Sequence, residues 1–415
     1  VTDDNMLLYF FGGLVPLAVM AYQLGRRKAQ VQQAQGGRLH SQPGFYGWYS
    51  CIWLVLPALT ASLAFALLHV VDAYSAPPSM LVAAALACAA GGLIVGLRAI
   101  RPGLAARKKV ETVIRWLLLV ASAVSILTTL GIVFSIVFEA IKFFQIVSLW
   151  EFITGTKWAP DAAFLSGAGR TGEAAAEPKF GAVPIFAGTF MITGIAMLVA
   201  VPIGLLSAIF MSEYASRTIR GWAKPVLEIL AGIPTVVYGF FAAITVSPLV
   251  VAGAEMLGLE ADYTNALTPG LVMGVMIIPF ISSLSDDIIN SIPQSMREGS
   301  YALGTTQSET IKHVLLPAAL PGIVSAFLLG VSRALGETMI VVMAAGLRPN
   351  LTWNPLEGMT TVTVRIVDAL TGDLAFDSAE TLSAFGLGLT LFVVTLVLNV
   401  ISTVVIRRFK QQYEL

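Results

Sequence analysis

Arg333 and Glu337 stand four residues apart inside a long apolar run, and no other side chains in the sequence are better placed to do chemistry. A lone charge near the middle of a bilayer costs at least ~2.5–3.5 kcal/mol on insertion scales, so such a residue faces an interior or a pathway. On a continuous helix the spacing sets both on one face, where an ion pair offsets much of that cost. A guanidinium is permanently charged, and its planar fork of donors matches tetrahedral oxyanions. Two readings stay open here. Either Arg333 meets a translocating anion, with Glu337 holding it at rest and Thr338 beside them, or the pair locks helix packing.

Other chemistries lack their residues. Cys51 and Cys88 lie in apolar stretches, and His40, His69 and His313 are scattered without a metal-ligand spacing. No nucleophile-elbow, zinc-protease or phosphate-loop string occurs, so neither a catalytic site nor a nucleotide site is expected in this chain. Basic and acidic residues balance at 25 each, which gives no general polyanion-binding surface and excludes nucleic acid as a partner.

The elements that must position Arg333 are membrane helices. The 415 residues are 56% hydrophobic and only 12% charged, with a mean hydropathy of +0.81, where soluble domains carry roughly 25% charged residues. At about 20 apolar residues per crossing, the sequence predicts an all-α integral membrane protein of about nine spans: 6–23, 48–71, 79–100, 113–140, 183–211, 225–253, 267–289, 321–346 and 383–406. The acidic start, Val1 to Asn5, and the basic Arg26-Arg27-Lys28 after the first apolar run read as an anchor with its N-terminus outside. Segments 24–47, 98–115, 212–224, 290–320 and 407–415 then hold 18 of the 25 Lys and Arg residues, which makes them cytoplasmic and puts the C-terminus inside. Outer segments carry acidic residues such as Glu173, Glu177, Glu260, Asp262, Asp368, Asp373, Asp377 and Glu380, so an anion is not steered to that face by the field.

The basic connector from Arg98 to Lys109 separates the first three spans from the rest and places a domain boundary near residue 110, giving an N-terminal extension 1–110 and a core 111–415. Between spans four and five, Leu149-Trp150-Glu151-Phe152 reads as an interfacial helix and 165–179 as a flexible loop. Pro and Gly cluster in spans five to seven, including Pro202, Gly232, Pro234 and Pro279; such breaks survive in a membrane where neighbours or a cavity satisfy the released backbone. Pro234 and Glu228, at the start of span six, are candidates for a structural or gating role, Glu228 chiefly as an interfacial or helix-end charge. Asp286 and Asp287, near the end of span seven, read as solvated cytoplasmic carboxylates, with organisation of the following loop as the alternative.

That loop, 291–317, mixes polar and apolar residues, with Gly304 at its centre and Ile311, Val314 and Leu315 at helical spacing. It reads as two short helices bent at Gly304, lying below the membrane as a surface for another protein. Its residues resemble the EAA loop of ATP-binding-cassette importer permeases: Glu298 at the first position, Gly304 six residues later, and Val314-Leu315-Leu316-Pro317 at the end. Gly299-Ser300 replace the usual Ala-Ala, and Val314 replaces Ile, keeping small size and apolar character. The resemblance implies a type I importer permease with a six-helix core in spans four to nine. It also implies that Glu298, Gly299, Ala302, Gly304, Leu316 and Pro317 belong to a coupling helix docking on a separate ATPase, which binds ATP and magnesium; this chain binds no cofactor itself.

More of the chain resembles the phosphate-specific branch, the PstC and PstA permeases. The strings are Pro202-Ile203-Gly204 with Ser212-Glu213-Tyr214-Ala215, Glu228 through Gly239, and Arg333-Ala334-Leu335-Gly336-Glu337-Thr338. The outer Ser148 to Phe152 and Gly155-Thr156-Lys157-Trp158 are more similar to PstC. The branch implies a bacterial inner-membrane subunit partnered by a PstA-like permease, a PstB-like ATPase dimer and a PstS-like extracytoplasmic phosphate-binding protein. Sulfate or molybdate is the alternative cargo, since charge alone does not separate tetrahedral anions. A membrane scaffold or sensor is the alternative class, suggested by the three extra N-terminal spans.

Overall fold

The structure, a computed structural model, describes residues 6–70, 78–160, 178–371 and 378–413. The all-α expectation holds: beyond a two-residue antiparallel pair, Trp158–Ala159 (β1) with Lys179–Phe180 (β2), the described residues form helices and their connections, the longest of which is 345–361. Eight helices among the described residues are long and apolar enough to cross a membrane. The ninth expected span, 6–23, lies in the helix α1 (Met6–Ala34), which is not among those eight; its second half carries Arg26, Arg27 and Lys28.

Contacts divide the chain into two compact units at Gly131/Ile132, inside one continuous helix rather than at residue 110. In the first unit α1 packs with α2 (Pro43–Val70) and α3 (Pro78–Ala99) around Leu14, Ala21, Leu54, Ala58, Ala85 and Ala89. The basic connector then leads into α4 (Ala106–Ile146), whose 41 residues, about 60 Å at 1.5 Å per residue, exceed a bilayer core.

The second unit begins within α4. A short helix, α5 (Leu149–Thr154), follows; it turns Phe152 inward and leaves Trp150 exposed, as an interfacial helix does. Most of the expected loop 165–179 lies outside the described residues. The heart of the unit is α6 (Val183–Ile209), extended by a π-helical turn to Tyr214, packed along α10 (Leu267–Ser291). Glycines make that approach close: a Cβ on Gly270 would lie 2.7 Å from Ile195 and one on Gly274 2.8 Å from Val199. Where lipid tails are as apolar as the side chains, such small-residue contact is what holds helices together.

The expected single span 225–253 is instead two elements. Helix α7 (Arg217–Gly232) ends at Ile233-Pro234, and the chain restarts as α8 (Thr235–Phe241), a π-helical turn and α9 (Ser247–Met256). Pro234 stands at the N-cap of α8, and the Tyr238 hydroxyl donates to Leu230 O at 2.9 Å across the break. Beyond α10 come α11 (Gln294–Ala302), α12 (Gln307–Thr310) with a π-helical turn, and α13 (Leu316–Leu335). The expected span 321–346 also breaks, at Gly336 to Thr338, before the short α14 (Met339–Ala344); α15 (Val362–Thr371) and α16 (Ala379–Tyr413) complete the fold.

Candidate functional site

The first group of candidates sits on the segment between α10 and α13. Ile292-Pro293 ends α10 and opens α11, because a residue before proline is pushed to extended backbone. Between α11 and α12 the turn runs through Gly304 at φ +81°, a left-handed conformation that side chains resist. Thr306 then caps α12 in a reciprocal capping box with Glu309. The two bent helices expected around Gly304 are therefore present. Inside the bend the hydroxyls of Ser300, Thr305 and Thr310 bond one another at 2.6 to 3.0 Å. The outside presents Glu298, Gly299, Ala302 and Gly304, all exposed, and Leu303 at the tip is 86% exposed. Leu316 and Pro317 lie half-buried at the start of α13.

What anchors this surface is Arg297. Its guanidinium donates to Glu213 Oε1 at 2.9 Å, and to the carbonyl oxygens of Ile292 and Ile289 at 2.8 Å each. Both side chains of the ion pair are nearly buried, Arg297 at 10% and Glu213 at 7% exposure. Gln307 adds a bond to the Glu213 backbone carbonyl at 2.6 Å. Both short helices are thus fastened to the exit of α6. The sequence signal for the clamp is slight: one arginine after Pro293, and one glutamate at the end of an apolar run 84 residues earlier.

Asp286 corrects an expectation. It is 1% exposed rather than solvated, takes two bonds from Arg220 at 2.9 and 3.1 Å, and receives the Asn290 amide at 2.8 Å. Lys224 lies 3.5 Å from Asp286 and 3.4 Å from the exposed Asp287. These pairs tie α7 to the end of α10. Glu228 is exposed, one stripe further along α7, and lines a small cleft against Pro279 and Phe280.

At the second group the structure keeps the depth of Arg333 and removes its expected partner. Arg333 is in the last turn of α13, exposed, with its guanidinium 5.6 Å from the centre of the Phe280 ring. Phe280 lies near the midpoint of α10, so the charge is level with the middle of a span. Glu337 does not pair with it: the helix stops at Gly336, which takes Glu337 off the face that carries Arg333. No ion pair joins them among the described residues. The break is satisfied from outside, since Thr363 donates to the Glu337 carbonyl at 2.8 Å. Thr338 turns its hydroxyl back toward Gly336 O, 3.5 Å away. Among the described residues Arg333 is left with cation–π contact, worth about 1 kcal/mol, and open donors. Such a fork can take an anion without first breaking a salt bridge.

Comparison with known proteins agrees with this architecture. Residues 200–412 match the family model described as binding-protein-dependent transport system inner membrane component. Residues 13–73 match one described as phosphate ATP-binding cassette transporter. The probable ABC transporter permease protein YqgH of Bacillus subtilis is 34% identical over 67% of this chain and 83% of its own length. The phosphate transport system permease protein PstC 1 of Mycobacterium tuberculosis is 32% identical over 71% and 92%. The phosphate transport system permease protein PstC of Mesorhizobium japonicum is 33% identical over 55% and 74%.

Proposed function

The chain belongs to the binding-protein-dependent transport system inner membrane components, and from that premise we propose that it is the PstC-type permease subunit of an ATP-driven inorganic phosphate importer. The observation that carries the reading is the likeness to phosphate permeases over most of their length, 92% for the mycobacterial relative. The match of residues 13–73 to a phosphate transporter family supports it, because it accounts for most of the first two of the three spans that otherwise suggest a scaffold or sensor. It also favours phosphate over sulfate or molybdate.

In this reading the partners are a PstA-like second permease, a PstB-like ATPase dimer that binds ATP and magnesium, and a PstS-like binding protein that delivers phosphate. The complex sits in the bacterial inner membrane, with the N-terminus of this chain outside and its C-terminus in the cytoplasm. The exposed tip around Leu303, with Glu298, Gly299, Ala302 and Gly304, docks on the ATPase. Movement of α11 and α12 then has two routes inward. The covalent route runs through Leu316 and Pro317 into α13 and so to Arg333. The second runs through Arg297 and Gln307 to Glu213 and the end of α6. Arg333 binds the anion, while Glu337 and Thr338 shape the break beside it. Because Arg333 has no carboxylate partner among the described residues, weak anion binding rests on its single fork, which the Phe280 ring holds in place, and this suits a site that must also release.

Radiolabelled phosphate uptake by cells expressing the whole operon, with excess unlabelled sulfate and membrane levels of the complex measured in parallel, tests the proposal. Uptake that resists sulfate and is lost in both Arg333→Gln and Gly304→Asp at normal complex levels is the expected result. Absence of phosphate uptake in the wild type overturns the cargo; full uptake in both variants overturns the residue roles.

A further inference from the structure

Lys108 and Lys109 begin α4 at the basic end of the first unit, where the segment 98–115 holds six Lys and Arg residues. They border a groove of about 610 Å³ between α2 and α4, a size within the usual range for small-ligand sites. Its walls are apolar: Trp53, Leu56 and Pro57 on α2 face Val113 on α4. Its mouth is cationic. Lys109 places its ammonium 5.7 Å from the centre of the Tyr49 ring, and neither lysine has a carboxylate partner among the described residues. The nearest acid in sequence, Glu111, is taken by Arg107 at 2.6 Å. One end of the groove thus asks for hydrocarbon and the other for negative charge.

We propose that this groove binds an anionic phospholipid, with an acyl chain against Trp53, Leu56, Pro57 and Val113 and the headgroup phosphate between Lys108 and Lys109. Only an amphiphile satisfies both ends: free phosphate leaves the apolar wall wet, and a neutral lipid leaves two lysines without a counter-charge. Lys and Arg concentrate on the cytoplasmic side of membrane proteins, and the leaflet there is the anionic one, so the site opens where its ligand is abundant. The lipid would order the entry of α4, whose residues beyond the groove are almost all exposed.

The test is native mass spectrometry of the full chain in its assembled complex, released from detergent and titrated with phosphatidylglycerol, with chain-matched phosphatidylcholine and inorganic phosphate as separate arms. Each lysine beside an anionic headgroup contributes about a five-fold preference, so Lys108→Gln/Lys109→Gln lowers bound phosphatidylglycerol by about twenty-fold. The control Arg26→Gln/Arg27→Gln removes the same charge elsewhere in the unit and leaves binding unchanged. Val113→Trp fills the groove with both lysines intact and displaces the lipid; it carries the test if the lysine variant does not assemble. Equal retention of phosphatidylglycerol and phosphatidylcholine, equal retention in wild type and variants, or competition by millimolar inorganic phosphate overturns the proposal.

Discussion

Arg297 is where a single residue decides most. A buried ion pair that loses one member leaves an uncompensated charge, at a cost on the order of 3 kcal/mol. Arg297→Gln strands the Glu213 carboxylate and also removes the bonds to Ile289 and Ile292. The variant is expected to melt earlier and to expose the 291–317 segment to limited proteolysis. Restoring stability with Arg297→Met/Glu213→Leu, which removes both charges, separates the ionic term from packing; the double variant should regain most of the melting temperature and still transport poorly, since the clamp is gone. Full uptake in the double variant would show that coupling does not pass through this contact. Asp286→Asn should act locally, loosening α7 from α10 by removing the carboxylate that Arg220 grips. Its expected cost is about 1–3 kcal/mol, smaller because Arg220 is partly exposed and can turn to water. Chemical denaturation of the purified complex measures it.

Between elements, the informative features are the breaks. The bend of 291–317 needs Gly304 in the left-handed region, and its tip is a leucine with almost no contact to its own chain. Leu303→Glu is therefore expected to leave thermal stability within about 0.5 kcal/mol of wild type, as surface changes do, while abolishing phosphate-stimulated ATP hydrolysis by the assembled transporter. Retained stimulation would move the docking surface elsewhere. The other breaks, Ile233-Pro234 and Gly336 to Thr338, fall where α8 packs against α14. Each is stabilised by a hydroxyl reaching a freed carbonyl, Tyr238 to Leu230 and Thr363 to Glu337. Gly232 and Pro234 made the first interruption legible in outline, whereas the second was not expected, and the helices run on through Pro202 and Pro279. The donors were not legible, because Tyr238 reaches back only across the break itself and Thr363 comes from 26 residues further along the chain. The same limit explains Arg333: the i, i+4 pairing with Glu337 follows only if the helix continues, and Gly336 ends it.

Across the whole molecule, the distribution of Lys and Arg predicts an N-terminus outside and a C-terminus inside. Single-cysteine reporters in a chain lacking Cys51 and Cys88 give the check. Reporters at Ser41 and Leu303 should react with a membrane-impermeant thiol reagent only when it is supplied from the cytoplasmic side, and one at Trp353 only from outside. A reporter at Thr2 decides the remaining span: labelling from outside means that α1 crosses the membrane, and labelling from inside means that it does not.

The sequence by itself determined the class of protein, the long apolar helices and the bent 291–317 segment. These depend on local quantities: hydropathy over some twenty residues, charge in short loops, and one glycine between two helical patterns. Tertiary structure alone decided which charges pair across long stretches of chain. Arg297 finds Glu213 across 84 residues, and Arg220 finds Asp286 across 66. No periodicity encodes that meeting; it follows from the close packing of α6 against α10, which brings the end of one helix beside the start of the 291–317 segment. In a medium where an unpaired charge is costly, that approach determines which carboxylates are buried and clamped. Asp286 is held by Arg220, Glu213 by Arg297, and among the described residues Arg333 keeps its donors open beside Phe280.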